Sequence, residues 1–198
     1  MEKIILASAS PRRKELLDNI GLTFSVLASD VDESKVSKDI SPELYVQELA
    51  LLKAGGTAKL LSGREQRDSL ILAADTVVCQ DGKILGKPAD KDMAFAMLSD
   101  LSGRKHAVYT GICVMRASDG FAVCRGVKTE VEFKPLSENK IRRYIDTGEP
   151  MDKAGAYGIQ GFGATLIARI DGDYFNVVGL PLSTLTEVLE QDFGLEIF

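Results

Sequence analysis

Residues Leu70 to Cys79 read LILAADTVVC, an apolar run with one carboxylate, Asp75, at its middle. Its length and its Ile and Val content suit a strand buried on both faces, where an ionised group is strongly disfavoured unless something compensates it. Asp75 therefore needs a partner. Two readings stand: the strand ends near Ala74 and Asp75 caps the loop beyond, or a strand end fixes the carboxylate in a cleft, ready to bind a metal or take a proton from water.

The rest of the chain narrows the chemistry available to that acid. With 198 residues, 45% hydrophobic and 27% charged, it can bury a core as one domain, or as two lobes sharing a sheet, without disulfide or metal staples. A formal charge of −5 argues against holding nucleic acid through the overall field, so an anionic ligand requires a local basic cluster, a metal, or both. The single histidine, His106, excludes a multi-histidine zinc site and opens a strand-like stretch, so it is read as structural or surface. Cys79, Cys113 and Cys124 lie far apart in the sequence with no CxxC, as expected of buried thiols in a reducing compartment. No run approaches the roughly 20 apolar residues that cross a bilayer, so a soluble cytoplasmic protein with no membrane partner is expected.

Taken in order, Lys3–Ala7 predicts a strand, and Ser10, Pro11 and Gly21 bracket a short helix. Arg12 and Arg13 stand in its first turn, where the helix dipole disfavours cations. Small residues, open backbone N–H groups and two guanidiniums suit a phosphate-like anion; alternatively the arginines pair with Glu15 or Asp18. A strand over Thr23–Leu27 leads into the acidic loop Ser29–Glu33, which could meet Asp75 over a divalent ion. Ser41-Pro42-Glu43 opens a helix to about Leu61 carrying Lys53, with Gly55 and Gly56 marking a kink or a close approach.

Asp81-Gly82 predicts a hairpin turn, and the return strand Lys83–Leu85 ends at the rigid corner Gly86-Lys87-Pro88. Asp90 caps a helix to Leu101 whose inner face is read as Met93, Met97, Leu98 and Leu101. Long strands follow over His106–Arg116 and Phe121–Lys134, then a helix from Ser137 to about Thr147. The segment Gly148–Gly163, GEPMDKAGAYGIQGFG, keeps neither period for long, and a loop of that length inside a compact domain is usually functional. Thr165–Ile170 is expected to be a strand with Tyr174–Val178 as its return, before a last helix with Leu182, Leu185, Val188 and Leu189 inward. The intermixed elements predict an α/β fold: a long mixed sheet flanked by helices.

The unusual residues gather at strand ends: Arg12, Arg13, Glu33, Asp75, Lys87, and the loop with Lys153 and Gln160. Those cations and carboxylates in one cleft would match a polyphosphate and its divalent metal. No GxxxxGK[ST] occurs and no GxGxxG follows a strand, which counts against P-loop and Rossmann sites. Water attack on a phosphoanhydride, assisted by a carboxylate and a metal, needs no histidine.

SASPRRKELL from Ser8, AADTVV from Ala73, Gly86-Lys87-Pro88, EPMDKAGAYGIQG from Glu149 and VVGLPL from Val177 closely resemble the Maf family of nucleoside triphosphate pyrophosphatases, from end to end of the chain. The resemblance implies one Maf/Ham1-like domain over residues 1–198, elongated, with two lobes and a deep cleft. It implies hydrolysis of a nucleoside triphosphate to monophosphate and diphosphate with Mg²⁺, or Mn²⁺ or Co²⁺ in its place, by a homodimer. By motif, Asp75 matches the proton acceptor; Arg12, Thr76 and Gln160 match the base-selecting positions of the branch acting on dTTP and UTP. Ser8, Arg13, Lys53, Lys87 and Lys153 match positions around the phosphates, and Glu33, with Asp32 as its alternative, joins Asp75 as a metal ligand. Modified pyrimidine nucleotides fit the same base edge. The family is also associated with inhibition of septum formation, so a nucleotide-binding regulator of cell division is the competing expectation.

Overall fold

The computed structural model describes residues 3–197. Its elements run β1 (Lys3–Leu6), α1 (Pro11–Asn19), β2 (Phe24–Val26), α2 (Pro42–Ala58), α3 (Gly63–Arg67), β3 (Ser69–Gln80), β4 (Lys83–Leu85), α4 (Lys91–Leu101), β5 (Lys105–Arg116), β6 (Ala122–Phe133), α5 (Glu138–Asp146), β7 (Ile167–Asp171), α6 (Tyr174–Val178) and α7 (Leu182–Phe193). Seven strands form one mixed sheet in the order β2-β1-β3-β5-β6-β7, with β4 also on β3. This is the α/β architecture the sequence predicts.

The chain divides into two compact units. The first holds the described residues up to Asp75, Thr110–Val127, and those from Gly179 onward; the second holds Thr76–Tyr109 and Lys128–Val178. In the first, β1 pairs in parallel with β2 and with the opening residues of β3, Ile4 to Leu70 and Leu6 to Leu72. Its core is built from small residues, among them Ala7, Ala50, Ala54, Ala73 and Cys113, so α2 lies close to the sheet. Glycines on the neighbouring strands complete that fit. A Cβ at Gly111 would strike the backbone of Val46 and Gln47, and one at Gly126 would strike Glu43. Cys113 and Cys124, on successive strands, lie close enough here for their thiols to shift one another's titration, that of Cys113 upward.

The second unit packs Leu98, Leu101, Phe133, Ile141, Tyr144 and Leu166 into its own core. The hairpin β3–β4 forms as the sequence predicts, with Asp81 and Gly82 both at positive φ, 49° and 76°. His106 is buried, its Nε2 2.7 Å from the Tyr157 hydroxyl and its ring edge-on to Phe133. Burial lowers its pKa to about 4, and Nδ1 has no hydrogen-bond partner among the described residues.

Three expectations change. Tyr174–Val178 is helix α6 rather than a return strand. Side-chain bonds displace the ladder there: Asp173 accepts the Phe175 N–H at 2.7 Å, and buried Asn176 donates to Val108 O and Thr129 Oγ1. The strand expected from Thr165 starts at Ile167, because a 3₁₀ turn occupies Gly161–Leu166. Met93 is exposed, and Ala94 takes its place on the inner face of α4. Among the described residues no helix is long and apolar enough to cross a membrane.

Candidate active site

Asp75 does not end its strand. β3 continues to Gln80, so Asp75 neither caps a loop beyond Ala74 nor sits at a strand end, where both readings of the sequence put it; it stands mid-strand instead. The partner it requires is Lys53 of α2, whose Nζ lies 2.5 Å from Asp75 Oδ1 and 2.8 Å from Glu33 Oε1. The Lys53 and Asp75 side chains are only 19% and 14% exposed, whereas Glu33 is half in solvent. A lysine shared by two carboxylates at the water boundary offsets the cost of burying Asp75 while leaving the cluster within reach of a ligand.

Gly56 explains how Glu33 arrives there. A Cβ at that position would lie 2.7 Å from Ser29 Oγ and would overlap Val31. Without one, the loop after β2 lies along α2, tied by Ser29 Oγ to Lys53 O at 3.2 Å and by Thr57 Oγ1 to Leu27 O at 3.2 Å. The close approach expected of the glycine pair is thus made by Gly56, with no kink, while Gly55 faces open space. Asp32, the alternative to Glu33, instead accepts from Ser34 N and Oγ within its own turn.

At the start of α1, Ser10 holds the N-cap position but its side chain makes no cap bond; its N–H donates to Ser8 Oγ at 3.3 Å. Buried Ser8 also accepts from Arg13 Nη1 at 3.0 Å, and Arg13 Nε donates to Gly179 O at 2.8 Å. Ser8 and Gly179 are thus among the partners of Arg13. Burial lowers the pKa of its guanidinium, opposed by the charge of Asp75. Arg12 also acts on Arg13 electrostatically, so Arg12, Arg13, Glu33 and Asp75 share one field in the first unit.

The other expected residues belong to the second unit. Thr76 is half-buried on β3, and Lys87 is exposed on the corner after β4. That corner is joined to the glycine-dense loop by Gly155 N–H to Gly86 O at 3.0 Å. Two residues before Gly155, Lys153 Nζ donates to Glu149 O at 2.6 Å and pairs with Asp152 at 2.7 Å. Gln160 is half-buried at the N-cap of the turn Gly161–Leu166.

Sequence reasoning missed Tyr45. It stands on the same face of α2 as Lys53, two turns earlier, buried, with its phenol pKa raised by burial and then by Asp75 and Glu33. That spacing was the available signal. The Gly179 carbonyl had none, since backbone acceptors leave no trace in residue identity.

Among the described residues, no three His, Cys, Asp or Glu groups are placed to hold a metal. Glu33 and Asp75 nevertheless fit one. Both reach a single ammonium, so one hard cation could take an oxygen from each, with water and phosphate oxygens completing its shell.

A family profile described as Maf-like protein matches residues 3–192. A dTTP/UTP pyrophosphatase of Thermoanaerobacter sp. (strain X514) is 48% identical over 195 residues, covering 98% of this chain and 99% of that one. One of Alkaliphilus metalliredigens is 50% identical over 197 residues, covering 100% of both. Among solved structures, a HAM1 protein from Coxiella burnetii matches with a TM-score of 0.46 and 18% identity over 84% of this chain and 81% of that one.

Proposed function

Because this chain belongs to the Maf family, we propose that it hydrolyses nucleoside triphosphates to the monophosphate and diphosphate, with dTTP and UTP preferred. The observation that carries the reading is the pairing of the strand-embedded Asp75 with Lys53 and Glu33. It provides a fixed carboxylate beside cations, the arrangement that water attack on a phosphoanhydride needs.

In this reading Asp75 takes the proton from the attacking water. Lys53 holds that carboxylate in place and is also one of the cations proposed for the phosphates. Ser8 and Arg13 at the start of α1, and Lys87 and Lys153 of the second unit, are the other residues proposed to bind phosphate oxygens. Glu33 and Asp75 would hold Mg²⁺ or a similar ion, which when bound draws charge from phosphate oxygens. Arg12, Thr76 and Gln160 select the base. Hydrogen bonds matched to a thymine or uracil edge can reject other bases strongly, because the unmatched alternative leaves polar groups unpaired. In the same reading the enzyme is a cytoplasmic homodimer acting on free nucleotides, ordinary or modified at the pyrimidine, rather than on nucleic acid or membrane.

The test is a panel of dTTP, UTP, GTP and methylated GTP with Mg²⁺, scoring diphosphate against phosphate release. Diphosphate from dTTP and UTP, at least about tenfold faster than from the guanine nucleotides, is the expected result. Equal rates would overturn the base preference, and phosphate release alone would overturn the reaction.

A further inference from the structure

The loop that carries Lys153 and Gln160 is organised around one acid to which neither the motif nor the proposed reaction gives a role. The Glu149 carboxylate accepts three hydrogen bonds: Phe162 N–H to Oε2 at 2.9 Å, Gly163 N–H to Oε1 at 2.9 Å, and Tyr144 O–H to Oε1 at 2.9 Å. Phe162 and Gly163 are the second and third residues of the 3₁₀ turn Gly161–Leu166. Their N–H groups are the ones an N-cap side chain ordinarily satisfies. The N-cap residue here is Gln160, and its side chain makes no cap bond. Glu149, eleven positions earlier in the chain, does that work instead.

The fit around the carboxylate is tight. Gly161 has a φ of +67°, and a Cβ there would lie 2.6 Å from Glu149 Oε2. At Gly163 a Cβ would meet the Tyr144 hydroxyl at 2.7 Å and Glu149 Oε1 at 3.1 Å. The backbone on the C-terminal side of Gln160 is therefore pinned by the Glu149 carboxylate rather than by the glutamine's own amide.

We infer that Glu149 is a positioning residue for base choice: by capping the turn in place of Gln160, it fixes the Gln160 backbone and leaves the Gln160 amide to the nucleobase. This rests on the base-selecting role proposed for Gln160. Lys153 is held by the main-chain carbonyl of Glu149, which a side-chain substitution preserves, so the grip on phosphate is separable from the grip on the base.

The experiment compares wild type with Glu149→Gln by calorimetry in Mg²⁺, using α,β-methylene UTP as the complete ligand and inorganic tripolyphosphate as the ligand without a base. An amide offers one oxygen where two N–H groups each require one, so Kd for the UTP analogue should rise about tenfold. Kd for tripolyphosphate should stay within about twofold. Equal weakening of both ligands, or no change in either, overturns the inference. Should Glu149→Gln fail to fold, Tyr144→Phe decides: it removes one donor, and the ratio of the two Kd values should shift by about threefold, with no shift overturning the inference. A wild-type protein that binds the UTP analogue but hydrolyses no triphosphate would defeat the proposed reaction and leave this binding comparison to decide on Glu149.

Discussion

The two units hold their expected functional residues in opposite ways. In the first, charged side chains from separate elements hold one another: Lys53 of α2 joins Asp75 of β3 to Glu33 of the loop after β2. In the second, one carboxylate holds the main chain, and Glu149 fixes a turn by accepting its N–H groups. The difference teaches where each should fail. Removing a charge from the first cluster alters chemistry while the strands and helices that present it persist. Changing the second region alters backbone geometry, and chemistry follows from that.

The strongest test of this contrast is Asp75→Asn. Turnover should fall by about 10²–10⁴-fold with the fold retained, since Lys53 keeps Glu33 and the strand loses no backbone bond. Measured kcat and circular dichroism decide it, and undiminished turnover would reduce Asp75 to a structural anchor for Lys53.

The interior of the second unit gives the next effect. Folded His106 titrates near 4, below the ordinary 6.5, so as pH falls below 6.5 the unfolded chain takes up a proton that the folded chain refuses. Stability is fully present above pH 6.5 and is lost progressively down to about 4, by up to about 3 kcal/mol. His106→Gln should flatten the urea-unfolding free energy over that window. An unchanged slope would show that other groups carry the acid sensitivity.

Gly56→Ala has the smallest expected effect and probes how the charge cluster is assembled. Overpacking against Ser29 and Val31 should cost about 2 kcal/mol, offset by about 1 kcal/mol of helix propensity, for a net loss of about 1 kcal/mol. Displacing the loop also weakens Glu33–Lys53, so KM should rise. A stabilised variant with unaltered KM would mean that the loop yields freely.

Much of this was legible in the sequence where a local signal existed. Asp75 stood out as one acid in an apolar strand, and Asp81-Gly82 announced its hairpin. Its partner Lys53 lies 22 positions away on a helix, and no periodicity reports which lysine will face which strand. The family likeness singled out Lys53; the packing that brings it to Asp75 depends on Gly56 and the alanines beneath α2. Tyr174–Val178 reads as a return strand in the sequence because Asp171-Gly172-Asp173, between it and Ile170, has the composition of a turn. The buried Asn176 and the Asp173 cap that make the segment helical act through tertiary contacts. Glu149 was visible only as a member of a motif, since two of its three donors are backbone N–H groups.

The bond from Arg13 to the Gly179 carbonyl spans 166 positions, so the start of α1 is braced by backbone from the far end of the same unit. A chain cut after Val178 would contain every residue of the second unit, but not the acceptor for Arg13. Such a product would keep the residues of the glycine-dense loop and lose the arginine's anchor.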